Sequence, residues 1–402
     1  MSFNRKAAWA LATLLLIITT SFTPAQGYHS DAKEIYHKAW ELVRENYYDA
    51  SFNGIDWSEY EHRYDGQIQG TTDAYAAIKL MLEALKDPYT RFLDPHAFQD
   101  ENDAIDAHIV GIGINLQQSR DQAHLIITRT IENSPAERAG ISAGDEVLAI
   151  DNSCALGITP EQAADHIRGK AGTSVKLAIK HAGAQEIVQI TRQEIAIKAV
   201  QVKMFDSGIG YIQLSTFISS DAAREFRRAL NRLAGAKGII IDLRDNPGGL
   251  LANALEMADM LLYGGPIVST ISRHGKHVDV SSGQPLAKQP IVVLVDEESA
   301  SASEILASAI KDNGRGIVLG TRTYGKGLVQ EINRLPGGAA VHITVSRYLT
   351  PNGSDINKVG IEPDIFIENK VDQVNVAYAY LKEKIACTKS TSKPPLLSAN
   401  LQ

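Results

Sequence analysis

Hydrophobic residues recur at helical spacing through the first hundred positions. Ile35 and Ala39 belong to one such series, and Ile78 and Leu82 belong to a second. Polar residues fill the positions between them, which is typical of amphipathic helices that bury one face. The pattern predicts an N-terminal helical region over residues 30–98, suited to packing or dimerisation and without chemistry of its own.

The pattern changes between residues 104 and 197. Short apolar segments alternate with glycine-rich turns such as Gly111-Ile112-Gly113-Ile114, and Gly144 to Asp151 reads as a turn followed by a strand. A single helix is predicted from Pro160 to Arg168. These features indicate a small, mostly β domain.

From residue 200 onward, apolar strands alternate with amphipathic helices. The runs at 239–241 and 291–295 contain apolar residues only, which is typical of strands buried on both faces. The alternation predicts an α/β domain over residues 200–370. A final helix is predicted over 371–385, and the Ser-, Thr- and Pro-rich residues 386–402 are predicted to form a disordered tail.

The N-terminal segment, residues 1–25, has the pattern of a secretory signal peptide. Arg5 and Lys6 precede an apolar run from Ala7 to Ile18. Thr23-Pro24-Ala25 follows, with the small-x-small pattern of a cleavage site. The run is shorter than the about 20 residues that a transmembrane helix needs, although an uncleaved anchor is the alternative. We therefore expect a periplasmic or secreted protein; a thylakoid lumen is the second choice.

Composition restricts the classes of function. The chain is 44% hydrophobic and 22% charged, with a net charge of -7 and no basic stripe, so it is predicted to be globular and not to bind nucleic acid. Cys154 and Cys387 lie far apart, and the 11 histidines lack the spacing of a zinc protease. No metal or cofactor is predicted from these residues.

Candidate chemistry follows the strand at 291–295. Small residues and three serines fill Ser299-Ala300-Ser301-Ala302-Ser303-Glu304, and Lys326 lies further on between two glycines. A lysine buried among apolar and glycine residues loses charge because desolvation lowers its pKa, so it can accept a serine proton. Two alternatives remain open: a capping box formed by Ser301 and Glu304, and an ordinary surface lysine.

A serine nucleophile also needs two N–H donors for the oxyanion of its tetrahedral intermediate. Ala302 offers one at the start of the predicted helix. Gly248, with Gly249 close behind, offers the second in the loop Asp245-Asn246-Pro247-Gly248-Gly249, since glycine lets the backbone approach a substrate closely.

Three other patterns compete with this site. Gly140-Ile141-Ser142-Ala143-Gly144 matches a nucleophile elbow but precedes a strand instead of a helix. Gly320 to Lys326 matches a phosphate loop, yet Gly327 replaces the magnesium-binding residue and a strand follows. A Ser-His-Asp triad remains open, and the three histidines available for it are His274, His277 and His342.

The turns and strands of residues 104–197, taken in order, resemble a PDZ domain. The resemblance implies that an extended peptide adds to a strand edge and that backbone N–H groups bind its terminal carboxylate. The residues that would contact the peptide are Gly111, Ile112, Gly113 and Ile114 in the carboxylate loop, and Ala163 and Ile167 on the facing helix.

A second resemblance extends from about residue 32 to 385. Leu243 to Leu250, Ser299 to Glu304, Tyr324 to Gln330 and Gly360 to Asp364 are similar to motifs of the carboxyl-terminal-processing peptidases of family S41. The resemblance implies a ClpP/crotonase-like α/β serine protease core. It also implies Ser301 as the nucleophile, Lys326 as the general base and Gln330 as the residue that orients the lysine. Asp296 and Ser354 depart from the family's usual residues, without touching this set.

The resemblance implies an exported serine endopeptidase that binds the C-termini of protein substrates, preferably apolar ones, and cleaves them with a Ser-Lys dyad. It also implies that an adaptor protein, or a homo-oligomer formed through the N-terminal helices or the C-terminal region, can control access. The main alternative is a PDZ peptide-binding scaffold with an inactive protease core. A cell-wall amidase or transpeptidase would need Ser-x-x-Lys, whereas Glu304 occupies that lysine position.

Overall fold

The computed structural model describes residues 32–106, 108–119, 124–131, 133–181, 183–196 and 198–391. The predicted signal peptide lies outside these residues. None of the helices in the described ranges combines the length and apolar composition needed to cross a membrane.

The N-terminal region is mainly helical. Its elements are α1 (Ala32–Asn46), α2 (Thr71–Glu83), β1 (Arg91–Leu93) and α3 (Pro95–Ile105), with a 3₁₀ turn at Trp57–Tyr60. Helix α1 buries the predicted apolar face, including Ile35 and Ala39. The indole N–H of Trp40 donates to the Trp57 carbonyl at 2.9 Å, and that of Trp57 donates to the Trp40 carbonyl at 3.2 Å. This reciprocal pair fixes the 3₁₀ turn against α1.

The second region is a small β domain. Its elements are β2 (His108–Gly111), β3 (Ile114–Gln118), β4 (Leu125–Thr130), α4 (Pro135–Arg138), β5 (Glu146–Ile150), β6 (Ser153–Cys154), α5 (Pro160–Ile167), β7 (Ser174–His181), β8 (Ala184–Thr191) and β9 (Gln193–Ala196). The main sheet has the order β3-β4-β5-β7-β8, and β6 pairs with β5. Strand β3 is therefore an edge strand among the described residues. Strands β2 and β9 pair antiparallel where the chain enters and leaves the domain.

The third region alternates strands and helices. Its elements are β10 (Val200–Met204), β11 (Ile209–Leu214), α6 (Ala222–Arg232), β12 (Gly238–Asp242), α7 (Leu251–Asp259), β13 (Pro266–Ser272), β14 (Gly275–Val280), β15 (Ile291–Val295), α8 (Ala302–Asp312), β16 (Gly316–Gly320), β17 (Leu328–Arg334), β18 (Ala340–Leu349), β19 (Ile365–Phe366) and α9 (Lys370–Thr391).

The sheet that carries the predicted chemistry has the order β10-β11-β12-β15-β16-β19, parallel except for β10. Every residue of β12 and β15 is buried, as the all-apolar runs predicted. Helices α6, α7 and α8 cover one face of this sheet and α9 covers the other. The carboxyl ends of β12 and β15 lie side by side, which brings the loops after them together.

A second sheet joins the N-terminal region to the third region. Strands β13, β14, β17 and β18 form it together with β1, and Arg91 of β1 pairs with His342 of β18. Val341 and Ile343 of β18 pack in one hydrophobic cluster with residues of α1 and α2. The N-terminal helices thus share a core with the third region.

The α/β and α+β architecture predicted from the sequence is confirmed. The C-terminal helix differs from its predicted range: α9 continues to Thr391, so residues 386–391 of the expected tail are helical. Residues 392–402 lie outside the described part of the chain.

Candidate active site

The chain makes a sharp turn between β15 and α8, at Ser301. Its backbone angles, φ 55° and ψ -114°, lie in a region that non-glycine residues rarely adopt. Such strain persists only where the surroundings enforce it, and it is common at functional sites. Helix α8 begins at the next residue, Ala302, so the half-buried Ser301 lies at a strand-to-helix elbow.

The three serines of this turn have different environments. Ser299 and Ser303 are fully buried, and their hydroxyls donate to the carbonyl oxygens of Leu243 and Asn246 at 2.8 and 2.9 Å. The hydroxyl of Ser301 has no hydrogen-bond partner among the described residues. Ser299 and Ser303 therefore attach the elbow to the loop after β12, and Ser301 is left available.

The loop after β12 packs directly on the elbow. A Cβ atom at Gly248 would lie 2.6 Å from the Ala300 carbonyl oxygen and 2.9 Å from the Ala302 nitrogen, so only glycine fits there. The N–H of Gly248, however, donates to Asn246 Oδ1 at 2.9 Å. Within the described chain, the N–H groups of Ala302 and Gly249 have no acceptor. We expected Gly248 to be the better second donor for the oxyanion, but in this conformation its N–H is already bonded. The N–H of Gly249 is available instead.

Glu304 connects the elbow to the lysine loop. Its carboxylate is fully buried and accepts four hydrogen bonds, from the Ser301 N–H (2.8 Å), the Thr323 hydroxyl (2.6 Å), the Gly325 N–H (2.8 Å) and the Lys326 N–H (2.9 Å). The contact expected of a capping box is therefore present, since the Glu304 carboxylate accepts from the Ser301 N–H. Burial raises the pKa of the Glu304 carboxyl.

Tyr348 of β18 makes a second connection between the same two segments. Its hydroxyl lies 3.2 Å from the Ser301 carbonyl oxygen and 2.5 Å from the Lys326 carbonyl oxygen. Burial raises the pKa of Tyr348 well above its ordinary value, so the hydroxyl stays protonated and can donate. The backbones of Ser301 and Lys326 are thus held on either side of one hydroxyl.

The side chain of Lys326 does not reach the serine in this conformation. Its Nζ lies 5.0 Å from the ring centroid of Tyr89, and no hydrogen bond in the described chain joins it to Ser301 Oγ. Burial lowers the pKa of Lys326, and Arg91 lowers it further, while Glu101 and Glu304 act in the opposite direction.

Gln330 bonds elsewhere as well. Its side-chain N–H donates to the Thr344 hydroxyl at 3.4 Å, a long and weak contact, and no hydrogen bond in the described chain joins Gln330 to Lys326. The structure therefore places Gln330 on β17, four residues after the lysine, without the hydrogen bond expected of an orienting residue.

The residues predicted to contact a peptide fall into two groups. Gly111 ends β2 and Ile114 begins β3, so the expected carboxylate loop adjoins the edge strand. Ile112 is buried in the core of this domain. Ala163 and Ile167 on α5, which we expected to face a peptide, are also core residues, with 0% and 5% of their surface exposed. Their side chains point inward because α5 packs on the sheet.

The competing patterns receive no structural support. Ser142 precedes β5, and its N–H donates to the Asp145 carboxylate. Strand β17 follows the phosphate-loop sequence, as expected for a false match. Among the described residues none of the three candidate histidines contacts Ser301, and His342 instead bonds Glu101 at 3.0 Å.

Sequence reasoning missed the roles of Glu304 and Tyr348. The Ser301-x-x-Glu304 spacing signalled the contact between the carboxylate and the elbow. It could not signal the three contacts to Thr323, Gly325 and Lys326, which come from a separate loop beyond β16. Nothing in the local pattern of β18 distinguishes Tyr348 from an ordinary core aromatic residue.

The chain matches three protein-family models. The model of peptidase family S41 matches residues 208–367, that of the PDZ domain matches residues 109–180, and that of the tricorn protease C1 domain matches residues 28–86. The three matches follow the order of the three regions described above.

Relatives match over most of the chain. A carboxyl-terminal-processing protease of Picosynechococcus sp. is 38% identical over 92% of this chain and 91% of its own length. The chloroplastic carboxyl-terminal-processing peptidase 3 of Arabidopsis thaliana is 34% identical over 90% of this chain and 73% of its own length. The solved structure of a photosystem II D1 C-terminal processing protease is 31% identical, with a TM-score of 0.64, covering 85% of this chain and 94% of that one. The chain therefore belongs to the carboxyl-terminal-processing proteases, serine-type peptidases of family S41 that carry a PDZ domain.

Proposed function

We propose that this protein is an exported endopeptidase that binds the C-termini of polypeptides and cleaves them with Ser301 as nucleophile and Lys326 as general base. The observation that carries the proposal is the strained elbow at Ser301, connected through the buried Glu304 carboxylate to the loop of a lysine whose pKa is lowered by burial. A nucleophile next to a base of lowered pKa is the arrangement that acyl transfer requires.

The environment of the three serines supports Ser301 as the nucleophile. A nucleophilic hydroxyl must be free to approach a substrate carbonyl, whereas Ser299 and Ser303 donate their hydroxyl protons to backbone carbonyls inside the protein. Replacing those bonds by substrate contacts would leave buried carbonyls unpaired, at a cost of about 1–3 kcal/mol each.

The position of the Lys326 side chain corresponds to a resting state. Glu304 and Tyr348 hold the backbones of Ser301 and Lys326, so we expect a side-chain rotation away from Tyr89 to bring Lys326 Nζ toward Ser301 Oγ. Substrate entering between the ring and the elbow would favour that rotation. Gln330 then becomes able to orient the lysine, as the resemblance to the family implies.

The reaction proceeds by acyl transfer. Neutral Lys326 takes the proton of Ser301 Oγ as the oxygen forms a bond to the scissile carbonyl carbon, and the N–H groups of Ala302 and Gly249 stabilise the oxyanion. Collapse of this intermediate breaks the C–N bond, and the lysine returns its proton to the leaving amine. A water molecule then gives a proton to the same lysine as it attacks the ester carbonyl, and the lysine passes that proton to Ser301 Oγ as the ester C–O bond breaks.

Substrate selection would use the edge strand of the PDZ domain. Strand β3 has its outer edge unpaired in the described sheet, and the turn at Ile112–Gly113 precedes it directly. Addition of a peptide strand along β3 would place a terminal carboxylate near the N–H groups of that turn. The buried Ala163 and Ile167 would shape the floor of this groove only if α5 moves outward.

Export is proposed from residues 1–25, whose basic, apolar and small-residue segments follow the signal-peptide pattern. The relatives include cyanobacterial, bacterial and chloroplastic processing proteases, which is compatible with this assignment. Sequencing the N-terminus of the protein isolated from its source tests it directly: a chain that still begins at Met1 contradicts the proposal.

The test of the catalytic proposal measures cleavage of an unstructured polypeptide that ends in apolar residues. We expect Ser301→Ala and Lys326→Ala each to lower kcat/KM on the order of 10⁴-fold or more, because the two groups act as a unit. Ser354→Ala and Lys358→Ala are matched controls, since both residues are exposed on a neighbouring loop, and they should cleave like the wild type.

Three outcomes would contradict the proposal. Undiminished cleavage by either site variant excludes the dyad. If the wild type binds the peptide without cleaving it, the protein is a PDZ scaffold with an inactive protease core. The missing hydrogen bond between Lys326 and Ser301 would then be a feature of an inactive site. Equal cleavage of substrates with free and amidated C-termini excludes recognition of the terminal carboxylate.

A further inference from the structure

Two histidines and an aspartate meet in the N-terminal region. His37 lies on α1, and His62 and Asp65 lie in the turn after the 3₁₀ segment at Trp57–Tyr60. His37 Nε2 is 3.2 Å from Asp65 Oδ1, and His62 Nδ1 is 3.0 Å from Asp65 Oδ2. One ligand atom from each residue falls within a set whose members all lie within 4.8 Å of one another.

The two contacts of the Asp65 carboxylate are not equivalent. The His62 contact has the geometry of a hydrogen bond, whereas Oδ1 is buried and has no hydrogen-bond partner in the described chain, despite the nearby His37 nitrogen. A buried carboxylate oxygen without a donor is costly. A carboxylate oxygen and an imidazole nitrogen that lie this close without hydrogen-bond geometry can, however, both be ligands of one cation.

Bonds of about 2.0–2.1 Å to nitrogen and oxygen in a tetrahedral zinc site put neighbouring ligand atoms about 3.3 Å apart. The two contacts of Asp65, 3.2 Å to His37 and 3.0 Å to His62, are close to that separation. The whole set spans up to 4.8 Å, so its side chains would draw together around the ion. The imidazole rings of His37 and His62 are inclined by 63°, with centroids 5.0 Å apart, so their edges can face a common point without stacking.

The scaffold around the cluster is fixed by independent contacts. The reciprocal Trp40 and Trp57 hydrogen bonds hold the 3₁₀ turn on α1, and the Tyr36 hydroxyl donates to the Tyr60 carbonyl. The ring of Tyr64, next to Asp65, packs edge-to-face on Tyr36. Ligands carried by such a rigid frame need little reorganisation on binding, which favours affinity.

The cluster is accessible to solvent, and further side chains that could bind a metal ion lie nearby. The cluster opens on a groove of about 890 Å³ that is lined by His37, His62, Glu34 and Glu61, among other residues. Glu61 Oε1 lies 4.0 Å from His62 Nε2. A water molecule from this groove, or one of the two glutamates, can complete a fourth coordination position.

We propose that His37, His62 and Asp65 form a binding site for a divalent transition metal, with Zn²⁺ as the ion that these ligands fit best. Two imidazoles and one carboxylate with an open fourth position match zinc chemistry, whereas Mg²⁺ and Ca²⁺ prefer oxygen-only sites. The ion would connect α1 to the turn at residues 60–66 and thereby stabilise the N-terminal region. The site is separate from the proposed peptidase chemistry and does not depend on it.

The test uses the full chain carrying Ser301→Ala, which prevents self-cleavage, and Zn²⁺ alone as the probe. After treatment with a chelator and dialysis, titration calorimetry should show one Zn²⁺ per chain with a dissociation constant of about 10 µM or below. Zn²⁺ should raise Tm, and Co²⁺ should produce the visible absorption bands of a tetrahedral site. Mg²⁺ at the same concentration should do neither.

Variants assign the ligands. Asp65→Asn and His62→Ala are each expected to weaken Zn²⁺ binding about 100-fold, because loss of a ligand costs at least as much as loss of a residue that orients one. The side chain of His62 is 71% exposed, so its replacement should not disturb folding, which circular dichroism checks. His277→Ala is the matched control, since His277 is also exposed and lies 3.4 Å from an aspartate, Asp279.

The proposal is overturned if the parent chain does not bind Zn²⁺ at about 10 µM, since the three residues would then be only a cluster of neighbouring side chains. It is also overturned if Asp65→Asn and His62→Ala bind as tightly as the parent, or if His277→Ala abolishes binding, since the ion would then occupy another part of the surface.

Discussion

Replacement of Glu304 by glutamine tests whether one buried carboxylate holds the candidate site together. One carboxylate oxygen accepts from the Thr323 hydroxyl and the Gly325 N–H, and the other accepts from the N–H groups of Ser301 and Lys326. Glutamine has nearly the same shape but only one oxygen. An NH₂ group that faces the Ser301 and Lys326 N–H groups leaves both without an acceptor. If it faces Thr323 and Gly325 instead, the Gly325 N–H loses its acceptor, while the Thr323 hydroxyl can turn to accept.

The size of the effect follows from those contacts. Each hydrogen bond to a charged group contributes about 1.5–3 kcal/mol, so the loss of one or two removes roughly 1.5–6 kcal/mol. Relief from burying a charge offsets part of this, because burial disfavours the ionised carboxyl and raises its pKa. We therefore expect Glu304→Gln to lower the free energy of unfolding by about 3 kcal/mol. Displacement of the elbow by about 1 Å would lower kcat on the order of 100-fold.

Urea denaturation and steady-state cleavage of an unstructured polypeptide measure the two effects separately. Glu298→Gln is the matched control, because Glu298 is exposed on the same turn, ahead of the elbow, and should tolerate the same substitution. If Glu304→Gln has the unfolding midpoint and kcat of the wild type, the four hydrogen bonds do not position the site and the reasoning fails.

Three further predictions concern the neighbours of Glu304. Burial lowers the pKa of Lys326 in the folded protein below its ordinary value of 10.5. At a pH between the folded-state pKa and 10.5, the unfolded chain binds more protons than the folded one, so the free energy of unfolding rises with pH across that window. Lys326→Met should abolish this rise and unfold at a higher temperature than the wild type at pH 7; a pH dependence that persists in the variant contradicts the assignment. Tyr348→Phe should cost about 1–3 kcal/mol by calorimetry and lower kcat with little change in KM, since its hydroxyl contacts the carbonyls of Ser301 and Lys326 but no substrate; an unchanged kcat opposes this. Gly249→Ala should cost more than about 3 kcal/mol in urea denaturation, because its Cβ would lie 2.2 Å from the backbone nitrogen of Ile218, whereas Gly235→Ala, with nothing within 4 Å, should be neutral; equal effects would refute the steric argument.

The parallel sheet was predictable because its central strands are apolar at nearly every position. Burial on both faces leaves no polar periodicity, and that signal was sufficient to place β12 and β15 and the loops at their ends. The elbow was predictable for a related reason, since small residues after a buried strand permit a sharp turn. The resemblance to family S41 then selected Ser301.

The side-chain state of the site was not predictable. Whether Lys326 lies against Tyr89 or against Ser301 depends on a rotamer, and a rotamer is decided by packing between segments that are far apart in the sequence. The same limit applies to Gly248, whose N–H is engaged by the side chain of Asn246. It also applies to α5, where the sequence identified Ala163 and Ile167 as apolar but not which side of the helix would meet the sheet.

The pairing of β1 with β18 affects the order in which the chain can fold. Thr344 donates its N–H to the Thr90 hydroxyl at 3.0 Å across 254 positions of sequence, so one of the longest loops in the chain must close before α1 and α2 complete their core. The PDZ domain lies within that loop, but its ends meet at the β2–β9 pair, so it can fold on its own during synthesis. The N-terminal helices must wait for nearly the last strand. In pulsed hydrogen exchange, amides of the PDZ sheet should therefore gain protection before those of α1, and the opposite order would contradict this sequence of events.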